Sequence, residues 1–232
     1  MVKKHLFRLA APKTWLVPRK MIRFIVRPLP GKHPFDLGIP LSILLRKMLG
    51  LANTTKEIRY LLNNKVVLVD GRRVKDRHYQ VGLMDVLSIP DIGKNYRILI
   101  NRQNQIYVRE IDEKEAKYKL CKIVGKTAIK GGQIQLNLHD AKNVITKEKF
   151  SVGDTVIFEF DKGITGRLEL KEGNLAYLVS GKHVGSYGGI VRIVKTKRRK
   201  DEIIIKRDST EIRTAKRYAF VVGDEKPRIS LD

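Results

Sequence analysis

The side chains whose chemistry is easiest to state are lysines and arginines concentrated in one stretch, residues 41–76. The group consists of Arg46, Lys47, Lys56, Arg59, Lys65, Arg72, Arg73 and Lys75. Ammonium and guanidinium groups this close together provide charge and hydrogen-bond donors for phosphates. No cluster of acids, thiols or imidazoles accompanies them. The stretch therefore predicts phosphate binding without catalysis, and a merely solvated charged surface is the alternative.

Two short amphipathic helices are predicted to position these cations. The first has an apolar stripe at helical spacing, formed by Leu41, Leu44, Leu45, Met48 and Leu49. The second helix is expected to begin at Thr54, which has capping-box spacing with Glu57, and to end near Asn63 and Asn64. Lys56 and Arg59 would then share one face, opposite the apolar side chains.

A hairpin is predicted directly after the second helix. Residues 66–69 form a β-branched, apolar run, and Asp70-Gly71 is a strong signal for a two-residue turn. The returning arm contains Arg72, Arg73, Lys75 and Arg77. The pattern thus places a cationic hairpin beside a cationic helix pair.

The composition indicates a partner of opposite charge along the whole chain. The 232 residues include 48 Lys+Arg and 24 Asp+Glu, a formal net charge of +24. Divided after residues 40, 93 and 168, each segment has a net positive charge between +4 and +8. Such a distribution is typical of proteins that bind nucleic acid. The sequence contains no apolar run long enough for a membrane span, so no membrane association is expected, and the single cysteine, Cys121, favours a reducing cytoplasm.

Residues 1–40 are predicted to be a basic, extended segment. They contain six of the eight prolines, which fix φ and restrict the preceding residue. Trp15, Phe24 and Phe35 are the aromatic groups available for docking or stacking. The candidate phosphate contacts in this segment are Lys3, Lys4, Arg8, Lys13, Arg19 and Lys20. The segment is expected to become ordered on its partner, and a disordered tail is the alternative.

From residue 94 to residue 167 the apolar residues alternate with polar ones, which predicts half-buried strands. One helix is expected to interrupt them. Asp112 is its predicted N-cap, and Lys119 and Lys122 are placed toward its C-terminal end.

The C-terminal segment combines glycines with strands. Gly181, Gly185, Gly188 and Gly189 lie between two apolar runs, a spacing that predicts a tight β-arch and resembles the KOW motif of ribosomal proteins and transcription elongation factors. Lys182 lies in the predicted loop. Residues 197–200 are predicted to form a cationic finger that binds phosphates, and a merely soluble loop is the alternative; its residues are Lys197, Arg198, Arg199 and Lys200.

Two rival functions are raised by local patterns. Gly166-Arg167-Leu168-Glu169 resembles the loop of pseudouridine synthases, although their nucleophilic aspartate is replaced by Glu169. The glycine arch alone would also fit a transcription elongation factor. Positive charge spread over every segment, without a catalytic cluster, argues against both.

The order of segments, together with several short signatures, resembles the S4e family of small-subunit ribosomal proteins in its archaeal form. The signatures are residues 4–6, residues 8–13, Trp15, residues 82–86 and residues 115–121. Residues 51–74 also resemble the broader S4 RNA-binding module, with Thr55, Lys65 and Asp70 in place of a usual arginine, glycine and asparagine. This resemblance implies a structural protein that binds small-subunit ribosomal RNA.

The expected fold is therefore multidomain α+β. A Pro-rich extension (1–40) should precede a two-helix-plus-hairpin RNA-binding module (41–93), a β-rich domain (94–168) and an SH3-like KOW barrel (169–232). The expected function is clamping of ribosomal RNA in the small subunit, in the cytoplasm and beside neighbouring small-subunit proteins. No catalysis, cofactor or metal is expected.

Overall fold

The computed structural model describes residues 5–195, 201–207 and 210–231. The chain divides into two compact units, Met1–Lys119 and Leu120–Asp232. In the described ranges, no helix is both long and apolar enough to cross a membrane. The sequence-based prediction that Lys3, Lys4 and residues 197–200 contact a polyanion falls outside the described ranges.

The first unit contains nine strands and three short α-helices in its described part. The strands are β1 (His5–Phe7), β2 (Phe24–Val26), β3 (Gly38–Pro40), β4 (Leu68–Val69), β5 (Arg72–Arg73), β6 (Gln80–Gly82), β7 (Val86–Ile89), β8 (Lys94–Ile100) and β9 (Ile106–Ile111). The helices are α1 (Leu41–Ile43), α2 (Thr55–Asn64) and α3 (Glu113–Ala116). Short 3-10 turns occur at Arg8–Ala10 and Pro90–Ile92.

Antiparallel pairing organises this unit. One sheet has the order β5-β4-β7-β8-β9, while β1 pairs with β2 and β3 pairs with β6. The 3-10 turn at Pro90–Ile92 and Gly93, whose φ is +69°, connect β7 directly to β8. The predicted boundary at residues 93/94 thus coincides with a turn inside one sheet. Proline and glycine indicate a turn, and turns of this kind occur within a domain as well as at a domain boundary.

The described part of the second unit forms two five-stranded antiparallel sheets. Its strands are β10 (Tyr118–Ile129), which begins in the first unit, β11 (Gln133–Leu138), β12 (Asn143–Thr146), β13 (Thr155–Glu159), β14 (Gly163–Leu168), β15 (Leu175–Leu178), β16 (Tyr187–Val194), β17 (Glu202–Arg207), β18 (Thr210–Ala215) and β19 (Ala219–Gly223). The sheet orders are β12-β11-β10-β13-β14 and β18-β17-β16-β15-β19. Each sheet buries one apolar face, built around Ile123 and Val156 in the first and around Ile190 and Ile205 in the second.

Helix α2 confirms the capping-box prediction. The Glu57 amide donates to the Thr54 Oγ1 at 3.2 Å, and the Glu57 carboxylate accepts from the Asn53 amide at 2.8 Å. Both bonds satisfy donors that a helix N-terminus leaves free. Ile58 and Leu62 form its buried side.

The first predicted helix is shorter and wider than an ordinary α-helix. After α1 the chain continues as a π-helical segment at Leu44–Met48, in which the Leu49 amide donates to the Leu44 carbonyl at 3.0 Å. Leu41, Leu44 and Leu45 are buried as the apolar stripe predicts. Helical periodicity therefore identified the buried face but not the hydrogen-bond spacing.

The helix predicted after Asp112 is wrong in its length. Helix α3 ends at Ala116, and both Lys119 and Lys122 lie in strand β10 with buried side chains. The helix macrodipole stabilises cations near a helix C-terminus only weakly. Cys121 and Ile123, two residues apart in β10, lie in the same apolar core, and their burial stabilises the strand more than the macrodipole would stabilise a helix.

The N-terminal segment is packed against the rest of the first unit over its described part. The Trp15 side chain is 3% exposed, and its indole N–H donates to the Gly38 carbonyl at 2.9 Å. Phe35 packs against Trp15 with ring centroids 5.6 Å apart. Thus Trp15, one of the aromatic groups predicted to be available for docking, anchors the segment internally.

Candidate nucleic-acid interface

The hairpin of the first unit forms as predicted, and its turn is held by a buried side chain. Asp70 and Gly71 have φ values of +51° and +74°, which suits a type I′ turn between β4 and β5. The Asp70 carboxylate is buried and accepts from the Val86 amide at 3.2 Å. The turn residue therefore also ties the hairpin to strand β7.

Two lysines complete the environment of Asp70. The ammonium groups of Lys32 and Lys119 donate to its Oδ2 at 2.8 and 2.9 Å. Lys119 is fully buried, whereas the Lys32 side chain is 20% exposed. Burial alone would lower the pKa of Lys32, but the nearby carboxylates of Asp85 and Asp70 outweigh burial and raise that pKa above its ordinary value.

Asp85 is the second buried acid of this network. Its Oδ1 accepts from the Lys119 ammonium at 2.9 Å, and its Oδ2 accepts from the Gly82 amide at 3.1 Å and lies 2.9 Å from the His33 Nε2. Burial would raise the pKa of Asp85, but the ammonium groups of Lys119 and Lys32 and the hydrogen bond with the His33 ring hold it well below its ordinary value. Asp85 is therefore ionised at neutral pH, and the network links residues 32–33, the hairpin turn and strand β10.

The exposed face of α2 presents the cations next to this hairpin. Lys56 and Arg59 are exposed there, as predicted, and Tyr60 joins them with 66% of its side chain exposed. The sequence analysis did not select Tyr60. The sequence signal for its exposure is its position four residues after Lys56, on the polar side of an amphipathic helix. An aromatic ring on that side does not pack into the core.

A shallow groove joins the helix to the chain that leaves the hairpin. Its lining residues are Arg59, Leu62, Asn63, Lys75, Asp76 and Arg77. Arg73 lies nearby and donates to the Asn63 carbonyl at 3.1 Å, which fixes the hairpin against the C-terminal end of α2. Arg77 belongs to the predicted returning arm, but the sequence analysis did not select it as an RNA contact. The fold brings it beside Arg59 and Lys75.

The other selected cations differ in their exposure. Those with exposed side chains are Lys13, Lys20, Lys47, Lys65, Arg72, Arg73, Lys75 and Lys182. Lys65 lies 3.4 Å from the Asp91 carboxylate, so it is partly neutralised. Arg46 is half-buried, and its Nε has no hydrogen-bond partner among the described residues. The predictions of RNA contact for this set stay predictions.

Two selected arginines serve the N-terminal fold. Arg8 is 5% exposed and donates to the carbonyls of Ile22 and Pro18 at 2.8 and 3.0 Å. Arg19 is half-buried and donates to the carbonyls of Leu9, Ala11 and Pro12 at 3.0–3.2 Å. These guanidinium groups close the loop between β1 and β2. Neither side chain is freely exposed, and the RNA contacts predicted for both stay predictions.

The loop that resembled a pseudouridine synthase has structural contacts instead. The Arg167 guanidinium bonds to the Asp154 carboxylate at 2.9 Å and lies 3.2 Å from Glu169. Asp154 also accepts from the amides of Ser151 and Leu170 at 3.0 Å. Arg167 thus joins β14 to the turn before β13, and Glu169 lies at the surface.

The glycine arch combines two kinds of glycine. Gly181 and Gly185 have positive φ values of 93° and 74° in the loop between β15 and β16. Gly188 lies in β16, where a Cβ atom would come within 2.3 Å of the Lys206 carbonyl oxygen. A Cβ atom added at Gly189 would meet no atom within 4 Å. The arch therefore requires glycine at Gly188 for close strand packing rather than for its φ.

These features together define a basic protein with several sheets, in which a helix-plus-hairpin module presents exposed cations beside a groove. Comparison with known proteins gives the family. The S4 domain matches residues 39–87, the RS4NT (NUC023) domain matches residues 2–36, and "Ribosomal family S4e" matches residues 92–163.

Whole-chain relatives agree with these matches. The protein is 41% identical to the small ribosomal subunit protein eS4 of Methanocaldococcus jannaschii, over 99% of this chain and 98% of the relative. It is 40% identical to the protein of the same name from Methanococcus maripaludis over the same shares. The crystal structure of the 30S ribosomal protein S4e from Thermoplasma acidophilum is similar, with a TM-score of 0.72 and 29% identity over 82% of this chain and 96% of that one. The chain belongs to the ribosomal S4e family, which is structural and not enzymatic.

Proposed function

We propose that this chain is a structural constituent of the small ribosomal subunit and clamps ribosomal RNA through its basic surfaces. The observation that supports this most directly is the groove in which Arg59, Lys75 and Arg77 come together beside the hairpin cations Arg72 and Arg73. Cations on a rigid helix and hairpin suit phosphates at fixed distances, and none of these side chains needs a catalytic partner.

Electrostatics supplies the attraction in this proposal, and shape supplies the fit. Each phosphate neutralised by Lys or Arg releases counterions, so binding weakens as salt rises. For about eight phosphate contacts, affinity would fall roughly a thousandfold or more between about 50 and 200 mM salt if charge acted alone. Stable assembly therefore depends also on the rigid placement of the module, which the buried Lys119, Asp70 and Asp85 provide.

Finer assignments complete the proposal. The partners are small-subunit ribosomal RNA and neighbouring small-subunit proteins, and the compartment is the cytoplasm. The sheet β18-β17-β16-β15-β19 acts as an SH3-like KOW module that presents Lys182 to RNA. The segment predicted as a cationic finger, residues 197–200, acts alongside it.

The test is sedimentation of a native lysate on a sucrose gradient after a high-salt wash, with this chain followed through the fractions. We expect nearly all of it to remain with the small ribosomal subunit. Recovery as free protein, or together with RNA polymerase, would overturn the proposal. An Arg59→Ala/Lys75→Ala variant should shift toward the free fractions, whereas the exposed control Lys162→Ala should not.

A further inference from the structure

The β1–β2 ribbon presents an aromatic and cationic face that the groove does not include. Phe7 and Phe24 are directly opposite in the antiparallel pairing, and their ring centroids are 5.1 Å apart. The His5 ring lies 4.7 Å from that of Phe24. The Arg23 guanidinium lies 5.3 Å from the Phe7 ring and 5.4 Å from the Phe24 ring. We call these four residues the ribbon face.

The ribbon face remains exposed although its rings are apolar. The Phe7 and Phe24 side chains are 52% and 40% exposed, whereas Ile25, on the opposite side of the ribbon, is 6% exposed. The alternation of strands thus gives the ribbon one buried side and one open side. Aromatic rings grouped on an open side are typical of a binding surface rather than of a solvated loop.

The ribbon face is also rigidly supported. The Arg8 amide donates to the Arg23 carbonyl at 3.0 Å, and the buried Arg8 guanidinium bonds to two carbonyls of the loop between the strands. Arg19 bonds to three more carbonyls of the same loop. The rings are therefore held in place before any partner arrives, which lowers the entropic cost of binding.

We propose that the ribbon face is a stacking platform for unpaired bases of RNA. An exposed phenyl ring offers its face to any nucleobase, and a guanidinium beside it adds a cation–π contribution and a phosphate contact. The inference rests on the proposed function, because it names a second part of the RNA, single-stranded rather than helical, that the same chain would contact.

Charge favours RNA over a protein neighbour at this surface. No acidic residue precedes Asp36 in the sequence, while Lys20, Arg23 and Arg27 are exposed near the ribbon. A protein partner of ordinary composition would meet uncompensated cations at its rim. A polyanion with flat bases matches both the rings and the charges.

The test compares the full chain with a Phe7→Leu/Phe24→Leu variant, which keeps apolar side chains in the strands but removes the two phenyl rings. The probes are a single-stranded oligouridylate and an RNA duplex of the same length, titrated at several salt concentrations. We expect affinity for the oligouridylate to fall about five- to a hundredfold, the range associated with lost stacking on one base. The salt dependence should not change, because no cation is removed. Duplex binding should also be unchanged.

Controls separate stacking from other effects. Met21→Ala removes an exposed apolar side chain near the ribbon without removing a ring and should leave oligouridylate affinity unchanged. Phe7→Leu/Phe24→Trp should restore affinity because tryptophan returns one aromatic face. Equal thermal unfolding midpoints would show that the Leu variant is folded.

The remaining outcomes overturn the inference. Unchanged oligouridylate affinity in the Leu variant would do so, as would an equal loss in Met21→Ala. A Leu variant that keeps its RNA affinity but dissociates from the small subunit would assign the ribbon face to a protein neighbour instead. The proposed function is tested separately, because it would be overturned if the unaltered chain failed to sediment with the small subunit. The oligouridylate titrations do not depend on that experiment.

Discussion

The ammonium of Lys119 lies 2.9 Å from the Asp85 carboxylate, and both side chains are fully buried. The same ammonium bonds to Asp70, so one cation from strand β10 holds the acid that follows β4 and the acid that precedes β7, the strand paired with β4. A buried ion pair is maintained by mutual neutralisation, because each charge alone would be costly to desolvate. The cationic hairpin is thus positioned by a residue nearly fifty positions further along the chain.

Replacement of Lys119 by Met should destabilise the first unit strongly. Two buried carboxylates would lose their shared partner, and breaking a buried pair costs about 3–5 kcal/mol. Urea unfolding followed by fluorescence of Trp15, which lies in the first unit, would measure the change. The matched control is Lys117→Met, two residues earlier and exposed, which should change stability by less than about 0.5 kcal/mol. Equal stabilities for the two variants would contradict the assignment.

The Thr54 cap should make a smaller, local contribution. Thr54→Ala removes the hydroxyl that accepts from the Glu57 amide and should cost about 1 kcal/mol. Thr55→Ala changes the same side chain one position later, inside the helix, and should be neutral or slightly stabilising because alanine favours helices. Amide hydrogen exchange in residues 55–58 should accelerate in the first variant only.

Two adjacent glycines provide a test of the arch in the second unit. Gly188→Ala should destabilise by about 2 kcal/mol, since its new Cβ would overlap the Lys206 carbonyl oxygen. Gly189→Ala meets no atom within 4 Å and should leave stability unchanged or raise it slightly. Thermal unfolding of both variants would decide. The interpretation of Gly188 as a close-packing position fails if both behave alike.

Lys122 should make the stability of the second unit rise with pH. Its ammonium donates to the carbonyls of Arg217 and Ala219, yet burial, with a smaller effect from Lys216, lowers the pKa of Lys122 from 10.5 to about 8. Between these two values the unfolded chain binds more protons than the folded one, so raising the pH stabilises the fold. The gain is of the order of 3 kcal/mol by pH 10.5.

The measurement for Lys122 is the free energy of unfolding from pH 7 to pH 10.5 in the unaltered chain and in Lys122→Met. The variant should lose the rise above pH 8, whereas the exposed Lys130→Met should retain it. Parallel profiles for all three proteins would show that Lys122 does not titrate in this range.

Each cation of the groove should contribute to the salt dependence of RNA binding. Arg59→Ala should lower the slope of log affinity against log salt by about 0.7 to 0.9, the value for one phosphate contact. Lys162→Ala, whose side chain is 76% exposed in the second unit, should leave the slope unchanged. Filter binding to small-subunit ribosomal RNA at several salt concentrations would measure the slope for each variant. A larger change of slope in Lys162→Ala than in Arg59→Ala would mean that the RNA binds away from the groove.

Local sequence signals determined a large part of the first unit. Thr54 and Glu57 cap α2 through neighbouring atoms, and Asp70-Gly71 forms its turn because backbone conformation depends on adjacent residues. The buried faces of both helices also follow from apolar spacing. Net charge is a sum over the sequence, so the expectation of a polyanionic partner needed no structure.

The tertiary structure decided which charged side chains are free to act. Lys119 and Arg8 are indistinguishable in sequence from surface cations, yet one neutralises two buried acids and the other closes a loop through carbonyl groups. Conversely, Arg77 comes to lie beside Arg59 in the groove only through folding. Burial and ion pairing depend on residues distant in the chain, and no local pattern encodes them. The sequence by itself thus determined the hairpin turn, the Thr54 cap, the outward face of α2 and the sign of the charge, while packing decided which of the other cations face outward.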